Sequence, residues 1–312
     1  MFAGAMLVAM MVEVAIGWPD AIYHRIGHPV TWIGALIGVC DARLNWIDDT
    51  DFRRRVMGAA VALGIMLVIG VATAFVVWLI PSGWFGGVLI GVLAWPLVAT
   101  RSLYDHVGSV ARPLEQGDLG GARAAVAMIV GRNPARLDAA GVGRAALESL
   151  AESASDGVVA PLFWGVIFGL PGIAIYKAIN TMDSMIGHLT PRYAAFGWAA
   201  AQIDDVANLI PARLTGLIFA AVSGDWRASL ACTWRDAGKH RSPNAGWPEA
   251  ALAGALGIRL SGPRVYDDRM SDDAWVNAGA SDPVAADVGR GLELYLKVML
   301  VLALALLMAA VI

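Results

Sequence analysis

The stretch RRRVMGAAVALGIMLVIGVATAFVVWLIPSGWFGGVLIGVLAWPLVATR, Arg53 to Arg101, decides the fold class of this chain. After the arginine triplet come 25 residues, Val56–Ile80, with no charged side chain. About 20 apolar residues suffice to cross the hydrocarbon core of a bilayer. Pro81, Ser82 and Gly83 signal a turn, and Trp84–Thr100 is again uncharged. The stretch therefore reads as a transmembrane hairpin. The rest of the 312 residues share its bias: 58% are hydrophobic and the mean hydropathy is +0.61. Only 16% are charged, where roughly 25% is usual in soluble domains. That composition excludes a disordered chain, which needs few apolar residues and high net charge. A net charge of −3 and a pI near 5.9 also exclude a nucleic-acid module, which shows a basic footprint.

Working outward, Met1–Trp18 is apolar but lacks a basic start and a small-residue cleavage site, so it reads as a retained membrane segment. Leu292–Ile312 is a strong final span, with Lys297 near its start. Two segments are weaker. Gly157–Tyr176 is interrupted by Pro161, Pro171 and Gly172, and Val206–Gly224 contains Asn208, Arg213 and Ser223. Each fits a span, a broken helix or a re-entrant segment. The two cysteines, Cys40 and Cys232, are too few and too far apart for a disulfide scaffold or a zinc cluster. Arginines and lysines collect in residues 19–55, 101–156 and 225–290 and are absent from the hairpin tip. The positive-inside rule places those segments in the cytoplasm and the tip outside.

The expected architecture is an all-α, polytopic integral membrane protein. It has four to six transmembrane helices, broken or re-entrant segments and cytoplasmic helical loops. A single domain over residues 1–312 is expected. Residues 265–290 form a variable acidic loop, and residues 291–312 form the last transmembrane helix.

Ionisable residues beside a membrane are costly and mark functional sites. In RAALESLAESASDGVVAPLFW, Arg144, Glu148 and Glu152 recur at i, i+4 and i+8, on one helix face. Asp156 continues that stripe up to Gly157, where the helix is expected to end. Such a stripe suits a magnesium ion, whose hard character favours oxygen ligands and phosphates; a solvated helix face also fits it. In YKAINTMDSMIGH, Lys177, Asn180 and Ser184 share a stripe with Asp183 beside it. A polar cavity accommodates these residues, together with Arg192, better than snorkelling does. In AAAQIDDVANLIPARL, Asp204 and Asn208 share a face, Asp205 is adjacent and Arg213 follows; an acidic first helical turn is the plainer reading. In HRSPNAGWPEAALAGALG, Ser242, Asn244 and Gly246 mark a turn, Glu249 opens a helix, and His240 is either a base or phosphate ligand or a structural residue. The motifs of P-loop, dinucleotide-fold, zincin and α/β-hydrolase enzymes are absent.

These strings resemble the CobD/CbiB family of cobalamin biosynthesis. The likeness runs through HPVTWIG (28–34), GRNPARLD (131–138), the strings at 144–164 and 169–188, RYAAFGWAAAQIDDVANLIPARL (192–214) and HRSPNAGWPEAALAGALG (240–257). Asn133 stands where the family usually has Asp, and Ser153 where it has Asn. Tyr266 is followed by two Asp in place of the family's Tyr-x-Gly. The resemblance implies an inner-membrane enzyme, multi-pass, with its active site facing the cytoplasm. This enzyme is expected to join (adenosyl)cobyric acid to (R)-1-aminopropan-2-ol or its O-phosphate, using ATP and Mg2+. Lys177, Asp183, His240, Asn244 and Glu249 are the expected catalytic residues. Arg132, Arg144, Asn180, Arg192, Asn208, Arg213 and Ser242 are expected to bind substrate or phosphate. Glu148, Glu152, Asp156, Asp204 and Asp205 are expected to hold the metal. The expected partners are these substrates, the lipid bilayer and other membrane proteins of cobalamin assembly, with no nucleic acid. A membrane corrinoid carrier or an AmpE-like signalling protein is the alternative.

Overall fold

The structure is a computed structural model. It describes residues 2–130, 134–266 and 269–312, with the backbone alone at 264–266 and 269–271. Thirteen helices follow one another in the described chain. They are α1 (Phe2–Ile16), α2 (Asp20–Ile26), α3 (Pro29–Leu44), α4 (Asp51–Leu79), α5 (Trp84–Ala94), α6 (Thr100–Glu115), α7 (Leu119–Val126), α8 (Ala139–Ala154), α9 (Ala160–Ile186), α10 (Trp198–Val222), α11 (Trp226–Asp236), α12 (Gly246–Leu256) and α13 (Ala285–Val311). Five helical stretches are long and apolar enough to cross a membrane: Asp51–Leu79, Trp84–Glu115, Ala139–Ile186, Trp198–Val222 and Ala285–Val311. A sixth is the pair Phe2–Ile16 and Asp20–Leu44 if its 109° bend counts as one broken span. The all-α, membrane-spanning expectation holds, and the hairpin falls where the uncharged stretch put it.

The chain, read from sequence as one domain, gathers into two compact units that interleave along it. The first contains Met1–Ala99, Ala160–Asn208 and Ala305–Ile312; the second contains Thr100–Val159 and Leu209–Leu304. In the first unit, Ile37, Val61, Ile65, Tyr176, Met182, Ile186 and Phe196 form an apolar core. The buried Arg54 of α4 ties down the loop after α9 through Asn45 and the carbonyls of Pro191 and Arg192. In the second unit, Val142, Leu147, Leu150, Leu252, Val288 and Tyr295 are fully or almost fully buried. Tyr295 donates to the carbonyl of Thr100 at 2.7 Å.

Two expectations change. Gly157 does not end the helix begun at α8, because residues 155–159 form a π-helical turn that carries the chain into α9. The wider i→i+5 winding takes Asp156 off the strict i+4 spacing of Glu148 and Glu152. The break comes instead at Gly169 (φ 65°, ψ −148°), just before Pro171. Here the chain doubles back. The carbonyl of Trp164 lies where a side chain on Gly172 would begin, and Ile173 approaches Gly165. Eight residues of straight helix span about 12 Å, so these contacts require a reversal. The segment expected to be broken or re-entrant is therefore folded back on itself.

Nor is the acidic stretch 265–290 a plain loop. It contributes to two small antiparallel ladders, β1 (Leu260–Ser261) with β4 (Trp275–Val276) and β2 (Arg264–Tyr266) with β3 (Arg269–Ser271). Strands of two or three residues carry no readable periodicity, which is why alternation did not reveal them.

Candidate functional site

In the first unit, successive turns of α9 carry Lys177, Asn180 and Asp183, and α10 carries Asp204, Asp205 and Asn208. Lys177 Nζ lies 3.4 Å from Asn180 Oδ1. Asp205 is close enough to Asp183 for the two charges to act on each other, and His188 also acts on Asp183. The expected i, i+4 pair is a hydrogen bond: Asn208 Nδ2 donates to Asp204 Oδ2 at 3.0 Å. Tyr176 donates to Asn208 Oδ1 at 2.8 Å. Asn208 is almost completely buried, so its amide orients Asp204 from behind.

His28, from the HPVTWIG string, also belongs to this unit, although no spacing pattern singles it out. It caps α3, and its Nδ1 accepts from Val30 N–H at 3.2 Å. With Nδ1 committed, Nε2 carries the proton of the neutral ring. The charge of Lys177 acts on it, and Trp18 lies edge-on at 4.9 Å. A histidine followed by proline at a helix start was the available signal. Arg192 bonds Asp41 at 2.8 Å, and that hydrogen bond raises its already high pKa.

The second unit holds two further groups. Arg144 pairs with Asp282, which also receives Arg259 at 2.6 and 2.9 Å. Both guanidiniums lie over Trp275, at 5.3 and 4.2 Å from its ring centre. Arg144, expected to bind phosphate, is thus occupied in clamping the segment after β4 onto α8. Glu148 is buried and accepts the Ser261 N–H at 2.7 Å. Glu152 is exposed and Asp156 half-buried.

The loop between α11 and α12 is the other group. Ser242 Oγ accepts the N–H groups of Asn244 and Ala245, both at 3.2 Å, and so fixes the turn. His240 Nδ1 accepts Ser242 N–H at 3.0 Å, while Nε2 faces the buried carboxylate of Glu249 at 3.6 Å. His240 thus braces the loop through Nδ1 and turns Nε2 toward Glu249. Arg213 donates to Asn244 Oδ1 at 3.1 Å and to the carbonyl of Leu209 at 2.8 Å. Its guanidinium covers Trp247 at 4.7 Å. The N–H of Trp247 bonds Asn244 O at 3.0 Å. A Cβ at Gly216 of α10 would lie 2.9 Å from the Trp247 carbonyl oxygen, so the glycine leaves room for that backbone.

Of the five expected metal ligands, Glu148, Glu152 and Asp156 stand in the second unit and Asp204 and Asp205 in the first. Among the described residues no three His, Cys, Asp or Glu side chains gather closely enough to hold a metal ion. Arg132, expected to bind phosphate, lies outside the described residues, as does Asn133.

A family model described as CobD/Cbib protein matches residues 6–295. The chain is 60% identical over 299 residues to "Cobalamin biosynthesis protein CobD" of Rhodobacter capsulatus, covering 96% of this chain and 94% of that one. It is 44% identical to the protein of that name from a Sinorhizobium species, covering 92% of each. The Brucella suis protein is 45% identical, over 94% of this chain and 92% of its own. No solved structure matches.

Proposed function

Because the chain belongs to the CobD/Cbib family, we propose that it acts in cobalamin biosynthesis as an ATP-dependent ligase of the inner membrane. The reaction joins the carboxyl of (adenosyl)cobyric acid to the amine of (R)-1-aminopropan-2-ol or its O-phosphate. One observation carries this reading beyond the family's pathway. Lys177, Asp183, Asp204 and Asp205 stand on helices apolar enough to cross a membrane, a costly placement for which a passive anchor has no use.

A carboxylate and an amine do not condense in water without activation. The carboxylate oxygen attacks the terminal phosphorus of ATP and ADP leaves. The amine nitrogen then attacks the acyl carbon, phosphate leaves, and the nitrogen gives up a proton. Lys177 and Asn180 suit the transferring phosphoryl group, where a fixed cation and amide offset the developing charge. Asp183 and Asp205 offer hard oxygens from two helices. Two carboxylates with the nucleotide's phosphates are enough for magnesium, which seldom takes an all-protein cage. Magnesium held by Asp183 and Asp205 would supply charge neutralisation to the polyphosphate. His240 and Glu249, both in the second unit, serve as a positioning pair for the loop that carries Asn244.

The test is synthesis by the full chain in lipid nanodiscs from cobyric acid, Mg-ATP and each amine, with the amide product measured by mass spectrometry. Asp183→Asn is expected to lower the rate about a hundredfold or more, and Glu152→Gln is assayed separately. A normal rate in Asp183→Asn at a normal protein level removes the metal assignment, whatever Glu152→Gln does. Corrinoid passage across the membrane with no ATP-dependent product replaces the ligase with a carrier.

A further inference from the structure

We propose that Trp234, backed by Trp247 and Arg213, is the docking platform for the corrinoid's macrocycle. This assignment rests on the ligase reading and names the part of the chain that holds its large substrate. Helix α11 buries Ser229, Cys232, Thr233 and Asp236, yet leaves Trp234 68% exposed. An exposed indole alone signifies little in an apolar protein. This one is seated. Its ring centre lies 5.0 Å from that of Trp247, at 88°, and the Arg213 guanidinium covers Trp247 at 4.7 Å. The Trp247 backbone is fixed in turn by Asn244 and by its close approach to Gly216. The result is an aromatic surface whose supporting ring and cation are already ordered, so little conformational entropy is lost when a ligand lands on it.

The charge pattern names the ligand class. In this unit Arg144 and Arg259 pair with Asp282, Arg235 with Asp236, Arg241 with Asp273 and Arg290 with Asp287. Arg213 instead donates to the neutral oxygens of Leu209, Asn244 and Pro243. A guanidinium held by neutral acceptors keeps its charge for an incoming oxygen acceptor. An indole whose supporting ring carries such a cation fits a broad, mostly apolar ring system with oxygen acceptors at its rim. Cobyric acid has both features, its macrocycle packing on Trp234 and a rim amide oxygen turned to Arg213, which leaves its one carboxylate for the reaction.

Equilibrium ultrafiltration of cobyric acid against the full chain in nanodiscs, without ATP and read by the corrinoid's visible absorbance, tests this. Trp234→Ala is expected to weaken binding about tenfold or more, and Trp234→Phe to retain most of it, because stacking needs only an aromatic face. Trp226→Ala serves as control: it is also exposed on α11 (52%) but its recorded cation contact is Arg227, and wild-type affinity is expected. Binding by Trp234→Ala and Trp234→Phe within twofold of wild type overturns the platform while leaving the ligase reading intact. Equal weakening by Trp226→Ala and Trp234→Ala marks a lipid-facing aromatic belt and also overturns it. Failure of the wild-type chain to bind cobyric acid at all strikes the ligase reading itself.

Discussion

At Asp236 a single carboxylate anchors a large part of the second unit. It is 1% exposed and receives Arg235 at 2.8 Å, Lys239 at 2.7 Å and the backbone N–H of Asn277 at 2.8 Å. Burial alone pushes its pKa up, but the hydrogen bonds from Arg235, Lys239 and Asn277 outweigh that and hold the group well below the ordinary 3.8. A depressed folded-state pKa gives stability that is fully present above the unfolded value. It is lost as the pH falls below about 4 toward the folded pKa. The same carboxylate and burial push the neighbouring Cys232 thiol up to about 12, so Cys232 stays protonated and unreactive at neutral pH. Asp236→Asn is expected to cost about 2 kcal/mol at pH 7, seen as a lower thermal midpoint in detergent. The gap between variant and wild type should narrow below pH 4. An unchanged midpoint at pH 7 contradicts the assignment.

At the scale of elements, what the sequence allowed to be read was periodic and local. The uncharged run 56–80 emerged as the core of α4, and Asp204 and Asn208, four apart, emerged as a hydrogen bond. Contacts between distant positions had no such signal. Tyr176 meets Asn208 across 32 residues, Glu148 meets Ser261 across 113, and Arg54 reaches Pro191 across 137. The Arg144–Glu148–Glu152 stripe lay on one helix as expected, but its first two members face partners that no spacing rule names. The reversal at Gly169 lies between these cases. Pro171 and Gly172 announced a break, and only the backbone shows that it folds back. With φ at 65° and ψ at −148°, Gly169 occupies a region open essentially to glycine, where other residues pay about 1–3 kcal/mol. A side chain there also meets the ring of Phe2 at 2.9 Å. Gly169→Ala is therefore expected to lower the thermal midpoint by several degrees or reduce accumulation in the membrane. A variant with the wild-type midpoint shows that the reversal does not depend on this glycine.

For the molecule as a whole, that reversal bears on sidedness. A helix running straight through residues 160–186 carries residues 187–197 to the face opposite the basic segment 101–156. A segment that turns back at Gly169 can return them to the side it came from. On the proposed ligase reading Lys177, Asp183 and Arg192 are expected toward the cytoplasm, where ATP is, and the positive-inside rule predicts the same for residues 225–290, with their seven arginines and Lys239. The positive-inside rule predicts that the hairpin tip, free of Lys and Arg, lies outside. Single cysteines at Ser82 and Thr190, placed in a chain with Cys40 and Cys232 replaced by Ala, separate the two arrangements. Labelled with an impermeant maleimide, Ser82→Cys is expected to react in intact cells. Thr190→Cys, exposed in its loop, is expected to react only after the membrane is opened. Labelling of Thr190→Cys from outside alone places the α9–α10 loop in the wrong compartment for ATP and removes Lys177 and Asp183 from the nucleotide's reach.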